Sequence, residues 1–437
     1  VILTRFATAK LEIKGMKNIL GAVGMALLWA IFVLVAAFYG WWMKPVVEEG
    51  DSDAFFTYAR DTLQAENQGN AALLMLVDGH IAHEYYSSNH DAVDAATQFS
   101  LASMSKWFTA YGALQLVESG AISLDAPVNS VLSRWQLPAS EFDLDGVTLR
   151  TLLSHTAGLE DGLGFGDFKA NETLPSLEQS LAAPRASGGR DTQIAVTAPP
   201  GQSWQYSGGG YLVLELLIEE VSGQRFDEFM QRNIFDPLGM QHSGYEFIGR
   251  YENNAGSYTA QGEAAELYQY ASKAATALAM SPQDVAIFIS AQLDPAAAAT
   301  QDSSSTGLGL LNLQSLRAMR APHAQALGAD IWGLGTMLFA PTASGDFVFG
   351  HDGGNDPAIN TVARVNPDSG EALIVLLTGH PSLATRIGSD WVLWQTGMPD
   401  FLASEAVIES MVMPLLLGLL LLLLIAVVRV RSAKHAE

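Results

Sequence analysis

Ser103-Met104-Ser105-Lys106 places a hydroxyl and an amine three residues apart. On a helix, positions i and i+3 share a face, so the Lys106 amine can reach the Ser103 hydroxyl. A serine hydroxyl becomes a nucleophile only beside a base, and a partly desolvated lysine can serve as that base. The tetrapeptide alone is a weak signal, and Ser103 as a simple helix cap is the bland alternative. The setting is stronger: Phe99-Ser100-Leu101-Ala102 precedes it, an apolar stretch follows, and a helix start there favours developing negative charge. Other chemistries find no support. The chain has no cysteine, which removes a Cys nucleophile, disulfides, Cys-ligated zinc and iron–sulfur clusters. No HExxH, GxSxG elbow or phosphate-binding glycine loop occurs. His80-Ile81-Ala82-His83 has metal-like spacing but falls on an expected hairpin without nearby ligands, so it reads as solvated strand histidines. No metal or organic cofactor is implied.

These residues need a frame. Ser103–Glu118 reads as a helix ending at Gly120, and Asp53–Asn67 as an earlier one. Ala72–Val77 and Ile81–Tyr86 flank the turn signal Asp78-Gly79. Tyr211–Val221 and Ser281–Leu293 are the clearest helices of the middle region, and 182–201 reads as an irregular surface loop. Ile331–Phe339, Phe347–Gly350, Asn360–Asn366 and Ala372–Leu377 read as strands. Strands open and close the domain and helices fill its middle. The expected class is α+β: an antiparallel sheet with packed helices plus an inserted helical region.

Five blocks, in order, resemble one family. FSLASMSKWFTAYGALQLVESGAISLDAPV around Ser103 looks like the nucleophile helix of class C β-lactamases and penicillin-binding-protein-like serine hydrolases. VTLRTLLSHTAGLED (Val147–Asp161), PGQSWQYSGGGYLVLELLIEEVSG (Pro200–Gly223), FDPLGM (Phe235–Met240) and FGHDGGNDPAINTVARVNPDSGEALIVLLTG (Phe349–Gly379) resemble the family's later blocks. The resemblance covers roughly residues 55–395 and implies the β-lactamase/transpeptidase-like fold. It implies Ser103 as nucleophile, Lys106 as its proton acceptor and Tyr206 as the proton shuttle to the leaving group. A Lys–Tyr pair of this kind is expected to need pKa values depressed by burial and mutual proximity. His351-Asp352-Gly353 occupies the K-T-G strand, and the backbone N–H groups of Ser103 and Gly354 would form the oxyanion hole.

Two departures bear on the substrate. Tyr206-Ser207-Gly208 has glycine where the family's Y-x-N carries asparagine, and His351 replaces the K-T-G lysine with a weaker, pH-dependent cation. Loss of a fixed cation disfavours substrates with a carboxylate, β-lactams among them. The reading is a serine hydrolase acting on an amide or ester, as peptidase or esterase, with a small molecule or a peptide as substrate. A D-amino-acid or cell-wall peptide is one such substrate. A penicillin-binding-type sensor or binding module, acylated or merely occupied without turnover, is the rival. His155 is expected to order a loop.

Charge and hydropathy place this domain. The 437 residues include 23 basic and 46 acidic side chains, a formal net charge of −23. That argues against nucleic acid as a partner. Ile19–Met43 and Met411–Val428 are uncharged and apolar, long enough to cross a bilayer. Arg5, Lys10, Lys14 and Lys17 precede the first; Arg429, Arg431 and Lys434 follow the second. By the positive-inside rule, tails 1–18 and 429–437 are cytoplasmic, and the hydrolase domain 45–405 lies on the periplasmic side of a bacterial inner membrane. A cleaved signal peptide ending near Val35-Ala36-Ala37 is the alternative for the first segment. Residues 45–410 carry 15 basic and 44 acidic side chains, an acidic surface that repels anionic substrates.

Overall fold

The computed structural model describes residues 2–162, 166–293, 309–326 and 328–435. It divides into a unit of residues 46–396 and a unit formed by 1–45 with 397–437.

The larger unit is built on one eight-stranded sheet. Its strands are β1 (Asn70–Val77), β2 (His80–Ser88), β3 (Ala324–Ala326), β4 (Ala329–Trp332), β5 (Met337–Pro341), β6 (Phe347–Asn355), β7 (Ile359–Asn366) and β8 (Glu371–Thr378). Their spatial order is β3-β4-β5-β6-β7-β8-β1-β2, and every neighbouring pair is antiparallel. The first hairpin thus joins the last strand, and the intervening helices form a separate layer. Asp78 and Gly79 both adopt positive φ, the conformation a two-residue hairpin turn requires.

The helices that back this sheet or carry site residues are α1 (Ser52–Glu66), α2 (Ser105–Glu118), α3 (Gly209–Ser222), α4 (Pro282–Ser290), α5 (Leu313–Arg320) and α6 (Leu383–Thr396). Helices α1 and α6 pack together on one face of the sheet; α2 and α4 pack on the other. The period-2 alternation of the strands separates the two layers. Leu74, Leu76, Ile374 and Leu376 join the core around Trp107, Phe108 and Phe288, while Leu73, Met75, Leu373 and Val375 are buried outside that cluster. Along β6, Asp352 turns toward α6, where Thr385 donates to it at 3.0 Å and the fully buried Arg364 pairs with it. His351 and Gly353 therefore face the α2 side.

Three local expectations change. Ile331–Phe339 is two strands, β4 and β5, because Gly333 and Gly335 make a tight turn between them. Gly333 N–H donates to the Thr336 carbonyl at 2.9 Å, and a Cβ on Gly335 would collide with Ala110 of α2. The helix at Ser103 begins with a 3₁₀ turn, Ala102–Met104, before α2 proper. Within 182–201, Arg185–Ala186 pairs with Arg190–Asp191 in a two-residue ladder.

In the smaller unit, helices Ile2–Phe38 and Ser404–His435 pack against each other. Stretches Leu20–Phe38 and Ala406–Arg429 are long and apolar enough to cross a membrane. Gly418 has no side chain where the Trp29 indole lies, and the indole N–H donates to the Pro414 carbonyl at 3.2 Å. The first helix closes at Phe38, short of the Met43 expected from composition. Gly40 takes φ 69° and the chain turns back through Trp41 N–H to the Ala36 carbonyl.

Candidate active site

The site starts at the turn before α2. Leu101 is tied to the helical layer through its N–H to the Leu278 carbonyl, 2.9 Å. It is tied to the sheet through Thr361 Oγ1, which donates to its carbonyl at 3.0 Å. Ala102 then takes φ 47°, a left-handed conformation that costs a non-glycine residue about 1–3 kcal/mol. Ser105 Oγ caps the Ala102 carbonyl at 2.6 Å. These ties hold a strained turn whose next residue is Ser103.

Lys106 lies one turn along and is fully buried. Its Nζ donates to Ser103 Oγ at 3.2 Å and to the Ala275 carbonyl at 2.9 Å. Burial lowers its pKa to about 7, against an opposing pull from Asp161. A large fraction is then free amine at neutral pH, in reach of the hydroxyl it would deprotonate. The Tyr206 ring centre is 5.0 Å from Nζ.

Tyr206 departs from expectation. Burial raises its pKa, and a hydrogen bond with Ser103 only partly offsets this. It is a neutral phenol, suited to giving and receiving a proton rather than standing as phenolate. His155 braces it: the rings lie 4.3 Å apart, and His155 Nδ1 accepts from Ser207 N–H at 3.1 Å. His155 thus orders the Tyr206 turn, as read from the sequence.

His351 is 1% exposed. Burial first, then the Lys106 charge, lower its pKa to about 3. The expectation of a pH-dependent cation is corrected: burial, and then the nearby Lys106 charge, favour the neutral ring near neutral pH. Its Nδ1–H donates to the Asp352 carbonyl at 2.6 Å, leaving Nε2 as a lone pair. That atom is buried and without a partner among the described residues. The Trp332 ring, 5.5 Å away at 90°, walls it in.

Gly353 and Gly354 differ in kind. A Cβ on Gly353 would stand 2.5 Å from Thr361 Oγ1 and closer still to the Leu101 carbonyl. Glycine there lets β6 touch the nucleophile turn. A Cβ on Gly354 would meet only the Ile359 carbonyl, at 3.6 Å, so packing does not demand glycine at that position. Ser103, Lys106 and Tyr206 converge, the Lys106 charge acts on the buried His351, and Gly353 abuts the turn that precedes Ser103.

Two carboxyls escaped the sequence reading. Glu215 on α3 is 3% exposed and accepts from Ala274 N–H at 3.0 Å, steadying the turn whose next carbonyl holds Lys106. Burial raises its pKa to about 8. Its signal was an acid inside the apolar run YLVLELLI. Asp161 is the second; its Oδ2 accepts from Ser207 Oγ at 2.5 Å. Among the described residues no group of three or more His, Asp or Glu side chains could hold a metal ion. His83 instead stacks on Phe56 and lies 3.1 Å from Asp53.

Known proteins share the family and the fold. The Beta-lactamase family profile matches residues 58–397. Penicillin-binding protein 4* of Bacillus subtilis is 31% identical over 42% of this chain and 39% of its own length. Penicillin-binding protein 4 of Amycolatopsis lactamdurans is 26% identical over 76% of this chain and 86% of its own. Esterase EstB of Burkholderia gladioli is 30% identical over 34% of this chain and 38% of its own. This chain thus spans about two-fifths of the length of two of these three curated relatives. The octameric penicillin-binding protein homologue from Pyrococcus abyssi shares the fold, with a TM-score of 0.60 over 77% of this chain and 75% of that one at 21% identity. The chain belongs to the β-lactamase family, among the penicillin-binding-protein-like serine hydrolases.

Proposed function

We propose that this protein is a membrane-anchored serine hydrolase that cleaves an ester or amide through a Ser103 acyl-enzyme. The observation that carries the reading is the contact of Lys106 Nζ with Ser103 Oγ at 3.2 Å, made by a lysine whose pKa burial brings to about 7. The free amine takes the Ser103 proton as Oγ attacks the carbonyl carbon. The oxyanion that forms is met by the N–H groups of Ser103 and Gly354. Tyr206 gives its phenolic proton to the departing alkoxide or amine and is reprotonated from the Lys106 ammonium. Water then attacks the acyl-enzyme by the same route in reverse.

The neutral His351 favours a substrate without a carboxylate near the acyl carbon, since no fixed cation stands on that strand. The acidic domain surface acts in the same sense. Esterase or peptidase chemistry is therefore preferred over β-lactam hydrolysis, in keeping with the esterase among the relatives. The two apolar helices support anchoring, with both tails cytoplasmic by their basic flanks and the site on the periplasmic side of a bacterial inner membrane.

The test is hydrolysis of a short-chain p-nitrophenyl ester by the detergent-solubilised full chain, wild type beside Ser103→Ala. Sustained turnover lost in the variant supports the reading. One burst without turnover supports a sensor that is acylated and stops there. Equal rates in both proteins overturn Ser103 as the nucleophile.

A further inference from the structure

Asp161 takes no part in the proton transfers among Ser103, Lys106 and Tyr206, although it is 2% exposed and bonds to Ser207, the residue after Tyr206. Its Oδ2 accepts from Ser207 Oγ at 2.5 Å, and the Gly208 and Gly209 amides favour its charged form. These three residues come directly after Tyr206 and open α3. Ser207 Oγ in turn accepts from Gly210 N–H at 2.8 Å. A Cβ on Gly209 would collide with Oδ2, so the turn closes around this carboxyl and no other residue type fits there. An acid at a helix start is electrostatically favoured. The other oxygen, Oδ1, is buried and has no hydrogen-bond partner among the described residues. A carboxyl with one oxygen left unpaired in a dry site is costly, which points to a charge it serves.

That charge is Lys106. Burial raises the Asp161 pKa to about 6, against the Ser207 hydroxyl, the Gly208 and Gly209 amides and the Lys106 charge, so most of it is still ionised at neutral pH; that negative charge opposes the burial that drives Lys106 toward the free amine. Gly208 brings no side chain of its own to this place. We propose that Asp161 is a positioning residue for acyl transfer: it clamps the turn that presents Tyr206 and balances the Lys106 ammonium formed when Ser103 is deprotonated. The step conserves atoms and charge. The Ser103 O–H bond breaks, an N–H bond forms on Lys106, and the new cation faces an anion already in place. When Tyr206 reprotonates at the expense of Lys106, the pair returns to its starting state. The inference rests on the reading of Ser103 as nucleophile and Lys106 as its base.

Few groups among the described residues face this pair. Toward Asp161 stand the Ser207 hydroxyl and the Gly208 and Gly209 amides at the start of α3, Lys106 of α2, and the exposed Arg190 beside Gly162. Toward Lys106 stand His155 and His351, both held neutral by burial, and the rings of Tyr206 and Tyr211.

The test uses the full chain in detergent micelles with Asp161→Asn and Asp161→Ala. Two readouts are taken against pH: kcat/KM for the ester, and the rate of covalent labelling of Ser103 by a fluorophosphonate, which needs no turnover. Removing the negative charge beside Lys106 lets it lose its proton more easily. In the Asn variant the acid limb of both profiles moves to lower pH. In the Ala variant the turn is also released, and kcat falls roughly 100-fold, as for a displacement of about 1 Å at a reacting group. A merely structural role would lower rates without moving the limb. An acid limb unchanged in the Asn variant overturns the proposal, and that variant carries the test if the Ala variant does not fold. A wild type that is labelled but does not turn over sinks the hydrolase reading alone, because the labelling profile still decides this one. No labelling of Ser103 at all sinks both.

Discussion

Gly353 is the point where the sheet touches the nucleophile turn, and a single methyl there measures how much that contact matters. In Gly353→Ala the new Cβ stands 2.5 Å from Thr361 Oγ1 and closer to the Leu101 carbonyl, where ordinary contact begins near 3.4 Å. Neither neighbour is a flexible chain end: one oxygen is backbone, and the hydroxyl is committed to Leu101. Strand β6 and the turn must then separate by about 0.9 Å or more, at an overpacking cost of about 1–3 kcal/mol. Because Ser103 is two residues from Leu101, most of that movement reaches Oγ. A displacement near 1 Å at a reacting atom costs roughly 100-fold in rate. Gly354→Ala is the internal control: its Cβ meets only the Ile359 carbonyl at 3.6 Å, and its N–H is retained. Steady-state ester hydrolysis and thermal melts of the two variants test this. The expected result is a large loss of kcat and a lower Tm for Gly353→Ala, beside near wild-type values for Gly354→Ala. Equal losses in both variants would refute the reasoning, because they would mean that the Leu101–Gly353 contact does not position Ser103.

The charge states lead to three further outcomes. The kcat/KM of the wild type rises through pH about 7 as the Lys106 ammonium, whose pKa burial lowers to that value, becomes the free base; a pH profile with no rise between pH 6 and 8 counts against Lys106 as base. His351, at about 3, adds no second limb in that range. Tyr206→Phe removes the proton relay, at about 10²–10⁴-fold on an amide substrate and far less on a p-nitrophenyl ester, whose leaving group needs no proton; equal losses on both would place Tyr206 outside leaving-group protonation. Glu215, whose folded pKa is raised from 4.5 to about 8, holds a proton that the unfolded chain has lost, so stability falls as pH rises between those values. Glu215→Gln should flatten that decline in thermal melts from pH 5 to 8, and an unchanged slope would show that another group titrates there.

The parts of this protein that were legible in the sequence are those whose signal is local. Asp78-Gly79 announces the first hairpin because both positions need positive φ. Ser103 and Lys106 announce each other because three residues on a helix fix their distance. What was not legible depends on burial and on long-range packing. The run Ile331–Phe339 looks continuous because its apolar residues hide the two glycines that fold it back on itself. The charge of His351 could not be read from its type. Burial first, and then the nearby Lys106 charge, hold it in the neutral form. Tyr206 moved in the opposite direction from Lys106, since the same burial that favours a neutral amine also favours a neutral phenol. Asp161 and Glu215 were passed over because acids usually mark solvated faces. In this fold each is enclosed and bonded to the backbone that holds a reacting group.

The most direct test of the central claim is the mass of the protein quenched during turnover of an ester or amide substrate. The expected adduct equals the acyl group and sits on the peptide that contains Ser103, absent in Ser103→Ala and slow to form in Lys106→Arg, whose guanidinium cannot act as a base. An adduct on another residue, or steady turnover with no covalent adduct at any quench time, would contradict it.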